Sequence, residues 1–295
     1  MCKTINPTAG SGDPYWYEWS VGLMYILDMI NPDNNIKSVT FQSNKAQGLD
    51  DVIVKYKDNT TECIQIKHSR TGDTITFGDL VYASESKKSL LRTLSNAWKD
   101  ANEVFGKSKA ILYTNRKSSE RQSTAKSKDD QKYIRPPLLD FWVKIKKQVN
   151  SINSIKEIKI CDDWNIAWKI WLEELADLSD KEKLEFLKCF SIKTDQPGLE
   201  EIKNELINKI ATIFCINKNK AIPILNALDS ALRKWTTTLR GKVEEVNREE
   251  IFKTLSINSQ ELVGEHNLKP PPYPFFKSRT KFLEKLESYL LNGEK

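Results

Sequence analysis

Histidine is nearly missing: the 295-residue chain has two, His68 and His266. A histidine-rich metal cage is therefore excluded, and a Ser-His-Asp triad would have only these two to draw on. The five cysteines (Cys2, Cys63, Cys161, Cys189, Cys215) are an odd number, with no Cys-x-x-Cys pair and no histidine at ligand spacing. That excludes a zinc ribbon and argues against a disulfide framework. They read as buried, reduced thiols, so the protein is expected to be cytoplasmic. No apolar run approaches the roughly 18 residues that cross a bilayer, and Met1–Pro7 lacks the apolar core of a secretory signal. There is no Gly-x-x-x-x-Gly-Lys-Ser/Thr loop, so this chain itself is not expected to hydrolyse ATP.

What is present is an ordinary folded composition: 39% apolar, 29% charged, eight tryptophans. A chain of this length can bury a sizeable core. The net charge of +6 is unevenly placed: residues 1–150 carry 23 Lys and Arg against 17 Asp and Glu, whereas residues 151–295 carry 23 of each. Within 107–147 the ratio is 12 basic to 4 acidic, with Arg116, Lys117 and Arg121 at its centre. A basic surface on one unit suits a polyanion, most simply nucleic acid; a solvated basic loop is the plainer alternative.

Asp13 and Pro14 open a helix that runs apolar to Ile30, interrupted by Glu18 and Asp28. Strands are expected at 36–41, 52–56 and 62–67, the last two joined by the turn chemistry of Lys57–Thr61. A long helix should follow from Phe77 to about Phe105, then a strand over 110–114 that opens into a polar, basic loop. After Pro136-Pro137 the pattern turns helical, with helices expected at 138–150, 162–176, 180–190, 198–215, 218–240 and 247–255 and no convincing strand. Trp164, Trp168 and Trp171 lie at helical spacing and read as packing, as does the cluster Trp16, Tyr17 and Trp19. Lys269–Pro274 reads as an extended linker into one more helix, Phe276–Leu291. The expected division is 1–136, 137–268 and 269–295, the last piece leading into a further domain.

The chemistry concentrates in Gly48–Val54 and Gln65-Ile66-Lys67. Residues two apart on a strand share a face, so Gln65 and Lys67 should point together while Ile64 and Ile66 enter the core. A hairpin centred on Asn59 would set Asp51 opposite Lys67; a two-residue Asp58-Asn59 turn would set Asp50 there instead. Phosphodiester hydrolysis needs an activated water and relief of growing negative charge. A hard divalent cation on oxygen ligands supplies both. Asp51 would give the carboxylate, or Asp50 in the other register. The Gln65 side-chain oxygen and the Ile66 carbonyl would fill further positions, and Glu18 would approach from the first helix. Lys67 would orient the water and stabilise the transition-state charge.

This order, αβββαβ with Asp…Gln-x-Lys, resembles the PD-(D/E)xK, or restriction-endonuclease-like, superfamily in its Gln-x-Lys variant. Gly48–Ser69, Ser89–Ala101 and Ile111–Lys117 resemble the endonuclease domain of CD-NTase-associated effectors, also found at the N-terminus of bacterial antiviral STAND (AVAST) proteins. The resemblance covers roughly residues 10–140, and Pro270–Leu290 resembles the lead-in to a STAND NTPase. It implies an α/β restriction-endonuclease-like core followed by an all-helical region. It also implies Mg²⁺, replaceable by Mn²⁺, catalytic Asp51, Gln65 and Lys67, and, more loosely, Glu18. The expected activity is cleavage of double-stranded DNA with little sequence preference, as the effector of an anti-phage defence protein. Several copies are expected to assemble, with NTPase or sensor domains following in the same chain. Gln65 departs from the superfamily, which more often has Glu or Asp there. A nucleic-acid- or partner-binding module on an inactive nuclease-like fold is the alternative, and an RNA nuclease a third.

Overall fold

The computed structural model describes residues 13–31, 33–43, 46–83, 88–127, 130–236 and 245–263. The fold is α/β. A five-stranded sheet runs in the order β1 (Ile36–Phe41), β2 (Val52–Tyr56), β3 (Thr61–Lys67), β4 (Ser108–Thr114), β7 (Phe190–Lys193). The pairs β1–β2 and β2–β3 are antiparallel, and β3–β4 and β4–β7 are parallel. Both faces are covered. On one, Ile53, Cys63, Ala110 and Leu112 pack with α3 (Leu90–Phe105), α4 (Leu138–Val149), α5 (Asn165–Glu174) and α6 (Asp180–Cys189). On the other, Val52, Val54, Ile64, Ile66 and Ile111 meet α1 (Asp13–Ile30), α7 (Leu199–Ile213), α8 (Lys218–Thr236) and α9 (Arg248–Val263). The two-residue period of β3 is thus read by two cores, Cys63 entering one and Ile64 and Ile66 the other.

Three expectations about elements are corrected. The long helix from Phe77 is two helices, α2 (Phe77–Val81) and α3. Tyr82 leaves α2 in extended backbone, and Ser89 starts α3 afresh, its hydroxyl accepting from Arg92 N at 3.1 Å. The basic loop contains a polar hairpin, β5 (Ser123–Lys126) with β6 (Lys132–Arg135), which carries almost no apolar alternation to betray it. The helical region after 137 is not wholly helical: β7 follows α6 without a break and completes the sheet beside β4. Its four residues are too few for a period of two to stand out from the helical run before them. Lys146 Nζ secures this junction, donating to the carbonyls of Leu187, Lys188 and Phe190 at 2.8–3.1 Å. The linker and final helix expected over 269–295 lie outside the described residues.

The β2–β3 hairpin turns through Lys57, Asp58 and Asn59. Tyr56 N donates to Thr60 O at 2.9 Å, Asn59 N to Tyr56 O at 3.2 Å, and Asn59 takes a left-handed φ of 64°. This is a three-residue loop closed by a left-handed residue. It pairs Val52 with Ile64 and Ile53 with Cys63, so the hairpin is centred one residue earlier than Asn59. Across the sheet Asp51 therefore stands level with Gln65, not Lys67. The displacement is two residues, an even number, so every side chain stays on its expected face.

Helix α1 lies tight on the sheet at Gly22, where an added Cβ would overlap the Phe41 ring at the end of β1. Gly22 is one helical turn after Glu18, on the same side of the helix. Gly22→Ala is expected to cost about 1–3 kcal/mol in urea unfolding, because the overlap outweighs alanine's better helix propensity. An unchanged midpoint would show that α1 can lift without penalty.

Candidate metal centre

The ends of β1, β3 and β4 and the start of β2 all lie at one end of the sheet, and the site is built there. Asp51 leads into β2, with Val52 anchored in one core and Ile53 in the other. Its Oδ2 accepts the Ile66 backbone N–H at 2.6 Å and the Gln65 side-chain amide. Gln65 is only 7% exposed, whereas Lys67, two residues on, reaches solvent. Asp50 turns the other way, its Oδ1 accepting from Gly48 N at 2.9 Å, so Asp51 is the carboxylate aimed at β3. Gly48 makes this turn at φ +100°, with Thr93 packed against the position a Cβ would take.

Glu18 reaches the same place from α1. Burial pushes its carboxyl up to about 7, and the nearby Asp51 charge adds to that, against the Gln42 side-chain hydrogen bond and the Lys67 charge. Asp51 is held up at about 6, chiefly by burial, with the Ile66 N–H and Lys67 opposing and Asp50 assisting. Two half-buried carboxyls, the Asp51 charge raising the cost of ionising Glu18, with a lysine beside them, form a site whose charge a cation would relieve. The hard-oxygen donors are the Glu18 and Asp51 carboxylates; Gln65 turns its amide nitrogen to Asp51, and its amide oxygen would complete the set. Mg²⁺ commonly takes one or two carboxylates and keeps several waters, so this set fits it. Among the described residues no group of three or more His, Cys, Asp or Glu is placed to hold a metal. The site is thus a two-carboxylate set completed by an amide.

Gln42 is the site residue the sequence did not signal. It follows β1 with a left-handed φ of 45°, and its N–H donates to Asp51 O at 3.2 Å. The only trace in the sequence is a polar residue after an apolar strand, which any loop offers. His68 lies tilted against the Tyr17 ring, centroids 4.6 Å apart, and Tyr17 donates its hydroxyl to Pro197 O at 2.9 Å, so His68 serves the packing.

The basic loop leaves β4 at Thr114, which pairs in register with Lys67. Asn115 fastens it to the segment after β3, accepting from Ser69 N at 2.9 Å and donating to Ser69 O at 2.7 Å. The three cations at the centre of the basic stretch, expected to meet nucleic acid, differ in what they touch. Arg116 is 19% exposed and its guanidinium is held by Asp73 at 3.0 Å, Asp79 at 3.5 Å and the Thr74 carbonyl. Lys117 is 74% exposed with Asp195 at 3.9 Å, and Arg121 is exposed. A charge count along the sequence cannot see that Arg116 is already paired some forty residues back.

Two outcomes are expected. The raised carboxyl of Glu18 makes the folded protein bind a proton more tightly than the unfolded chain, so its ionisation weakens the fold as pH rises from about 4.5 through about 7. Glu18→Gln in EDTA should therefore melt higher than wild type at pH 8, by a few degrees at most, and the gain should shrink toward pH 4.5. A gain independent of pH would rule this cause out. For the loop, Arg116→Ala should cost about 1–3 kcal/mol in stability through lost charged hydrogen bonds. Lys117→Ala with Arg121→Ala should change stability by less than about 0.5 kcal/mol yet weaken duplex DNA binding and flatten its dependence on salt. Thermal melts and salt-titrated binding check both.

Neither a protein-family model nor a curated protein matches the chain. Among solved structures, Acinetobacter baumannii Cap4, a SAVED/CARF-domain containing receptor with the cyclic trinucleotide 2'3'3'-cAAA, aligns at a TM-score of 0.44 and 9% identity, over 92% of this chain and 50% of that one. The same receptor with 3'3'3'-cAAA aligns at a TM-score of 0.43 and 9% identity, with the same coverage. The chain spans about half the length of these structures.

Proposed function

We propose that the protein is a divalent-metal-dependent endonuclease acting on double-stranded DNA, serving as the effector part of an anti-phage defence protein. The observation that carries the reading is the convergence of Glu18, Asp51, Gln65 and Lys67, from three separate elements, at one end of the sheet. Glu18, Asp51 and the Gln65 amide oxygen would hold Mg²⁺ or Mn²⁺, which when bound supplies charge neutralisation at the scissile phosphate. Lys67, exposed and on the same face, orients the attacking water and meets charge that grows on the phosphate oxygens. Lys117 and Arg121 hold the duplex by its backbone, giving little sequence preference.

A second reading keeps the fold without cleavage: a module that binds nucleic acid or a protein partner. In its favour, Asp51 Oδ2 already takes two hydrogen bonds from within the chain, and no third carboxylate joins the pair among the described residues. The comparisons lend nothing to cleavage, since Cap4 is described as a receptor with a cyclic trinucleotide.

Supercoiled plasmid incubated with Mg²⁺ or Mn²⁺ separates the two, with structured RNA in parallel to test for a ribonuclease. Nicking abolished by EDTA is expected. Lys67→Ala should keep the wild-type circular dichroism, because Ile64 and Ile66 hold its strand, and lose on the order of 10²–10³ in single-turnover rate. Asp51→Ala should lose as much but recover in part at high Mg²⁺. Binding of DNA with no cleavage under any metal, or a folded Lys67→Ala protein cutting at the wild-type rate, would leave the binding module as the function.

A further inference from the structure

The β5–β6 hairpin presents two unlike faces. Its register pairs Ala125 with Tyr133 and Lys126 with Lys132. Successive pairs point to opposite sides, so one face carries Ala125 and Tyr133 and the other carries Lys126 and Lys132. The first face is anchored. Ala125 packs on the core beneath, Tyr133 is buried and its hydroxyl is hydrogen-bonded to that of Tyr82, and Arg135, two residues on, lies over the Tyr82 ring at 4.4 Å. The second face meets water: Lys126 is 62% exposed and Lys132 is exposed. Like charges directly opposite each other weaken a two-stranded ribbon, which has little stability to spare. The chain relieves this only in part. Asp130 stands 3.0 Å from Lys126, but so exposed a pair contributes little. Lys132 meets no acid among the described residues.

We infer that the outward face of this hairpin is a phosphate-binding surface for duplex DNA, with Lys126 and Lys132 as its contacts. The inference rests on the nucleic-acid part of the reading above, not on the metal centre. Two ammonium groups set side by side on an anchored ribbon, at a cost to the fold, are what a phosphate backbone would neutralise. The hairpin starts two residues after Arg121, so it carries the cationic track of Lys117 and Arg121 onward. Its outward face holds point charges and no planar amide or guanidinium, so its contacts position the duplex without reading its sequence. Arg116 and Arg135 belong to the same basic stretch but are engaged within the chain.

The test measures duplex DNA binding by fluorescence anisotropy over a salt series, with thermal melts, in the full chain. Lys126→Ala with Lys132→Ala is expected to weaken binding most at low salt and to reduce the log–log salt slope by about 2, close to one counterion for each lost phosphate contact. Its melting temperature should stay level or rise, because the like-charge pair is gone. Lys132→Glu should raise the melting temperature, by setting opposite charges across the ribbon, yet weaken DNA binding. As a control, Lys218→Ala with Lys220→Ala removes the same net charge from exposed positions on α8, on the other face of the sheet, and should leave the slope unchanged. A wild-type slope in the hairpin variant, an equal loss in the α8 control, or a lowered melting temperature in the hairpin variant would each overturn the inference while leaving the DNA reading standing. A wild-type chain that binds no duplex at any salt would overturn that reading, and this surface with it.

Discussion

The position of the Asp51 carboxylate is the constraint on which the remainder turns. Its Oδ2 is held by a main-chain N–H of the neighbouring strand, so the acid is fixed by the sheet rather than by a loop. That bond exists only in one register of the β2–β3 hairpin. The register is set eight residues away, by the left-handed Asn59 that closes a three-residue turn. A two-residue Asp58-Asn59 turn would set the opposing residues one place out of step, with Asp51 level with Ile66 rather than Gln65. A turn far from the chemistry therefore decides which atoms meet there.

The second constraint is how closely α1 lies on the sheet. Gly22, one helical turn from Glu18, lets the helix settle against Phe41. Both carboxyls, Glu18 and Asp51, are short of water, and their resistance to ionisation follows from that burial more than from neighbouring acids, since burial is the larger cause in each. The Ile66 N–H, the Gln42 amide and the Lys67 charge oppose it without cancelling it. The fold carries this electrostatic load because the apolar cores on both faces of the sheet hold the strands in place regardless.

Much of this was legible in the sequence, and the limits have physical causes. The first helix, the first three strands and the 110–114 strand carry clear periods and were placed within about two residues of their ends. Asp51, Gln65, Lys67 and Glu18 were read as one constellation from strand parity and helix position, and the structure brings all four together. The hairpin register was not legible, because strand parity cannot tell a hairpin centred on Asn59 from one centred on Asp58, whose pairings differ by two residues. Gln42 was invisible, since its role lies in a left-handed φ and in contacts with residues before and after it in the chain. Arg116 looked like its neighbours because pairing with Asp73 and Asp79 is a tertiary fact. The strand β7 was hidden by its shortness and by the helix that runs into it.

The sheet changes from antiparallel to parallel pairing at β3, and that change explains why the chemistry sits where it does. In the antiparallel part, the end of β3 lies beside the start of β2, which brings Asp51 to Gln65. In the parallel part, the end of β3 lies beside the end of β4, which brings the basic loop level with Lys67. One strand end thus borders an acidic segment on one side and a cationic one on the other. The acids suit a cation and the cations suit a polyanion, and Lys67 stands between them. A wholly antiparallel sheet would have sent the loop after β4 to the opposite end. It is the crossover through α3 that returns the chain parallel to β3 and sets both charges against one edge.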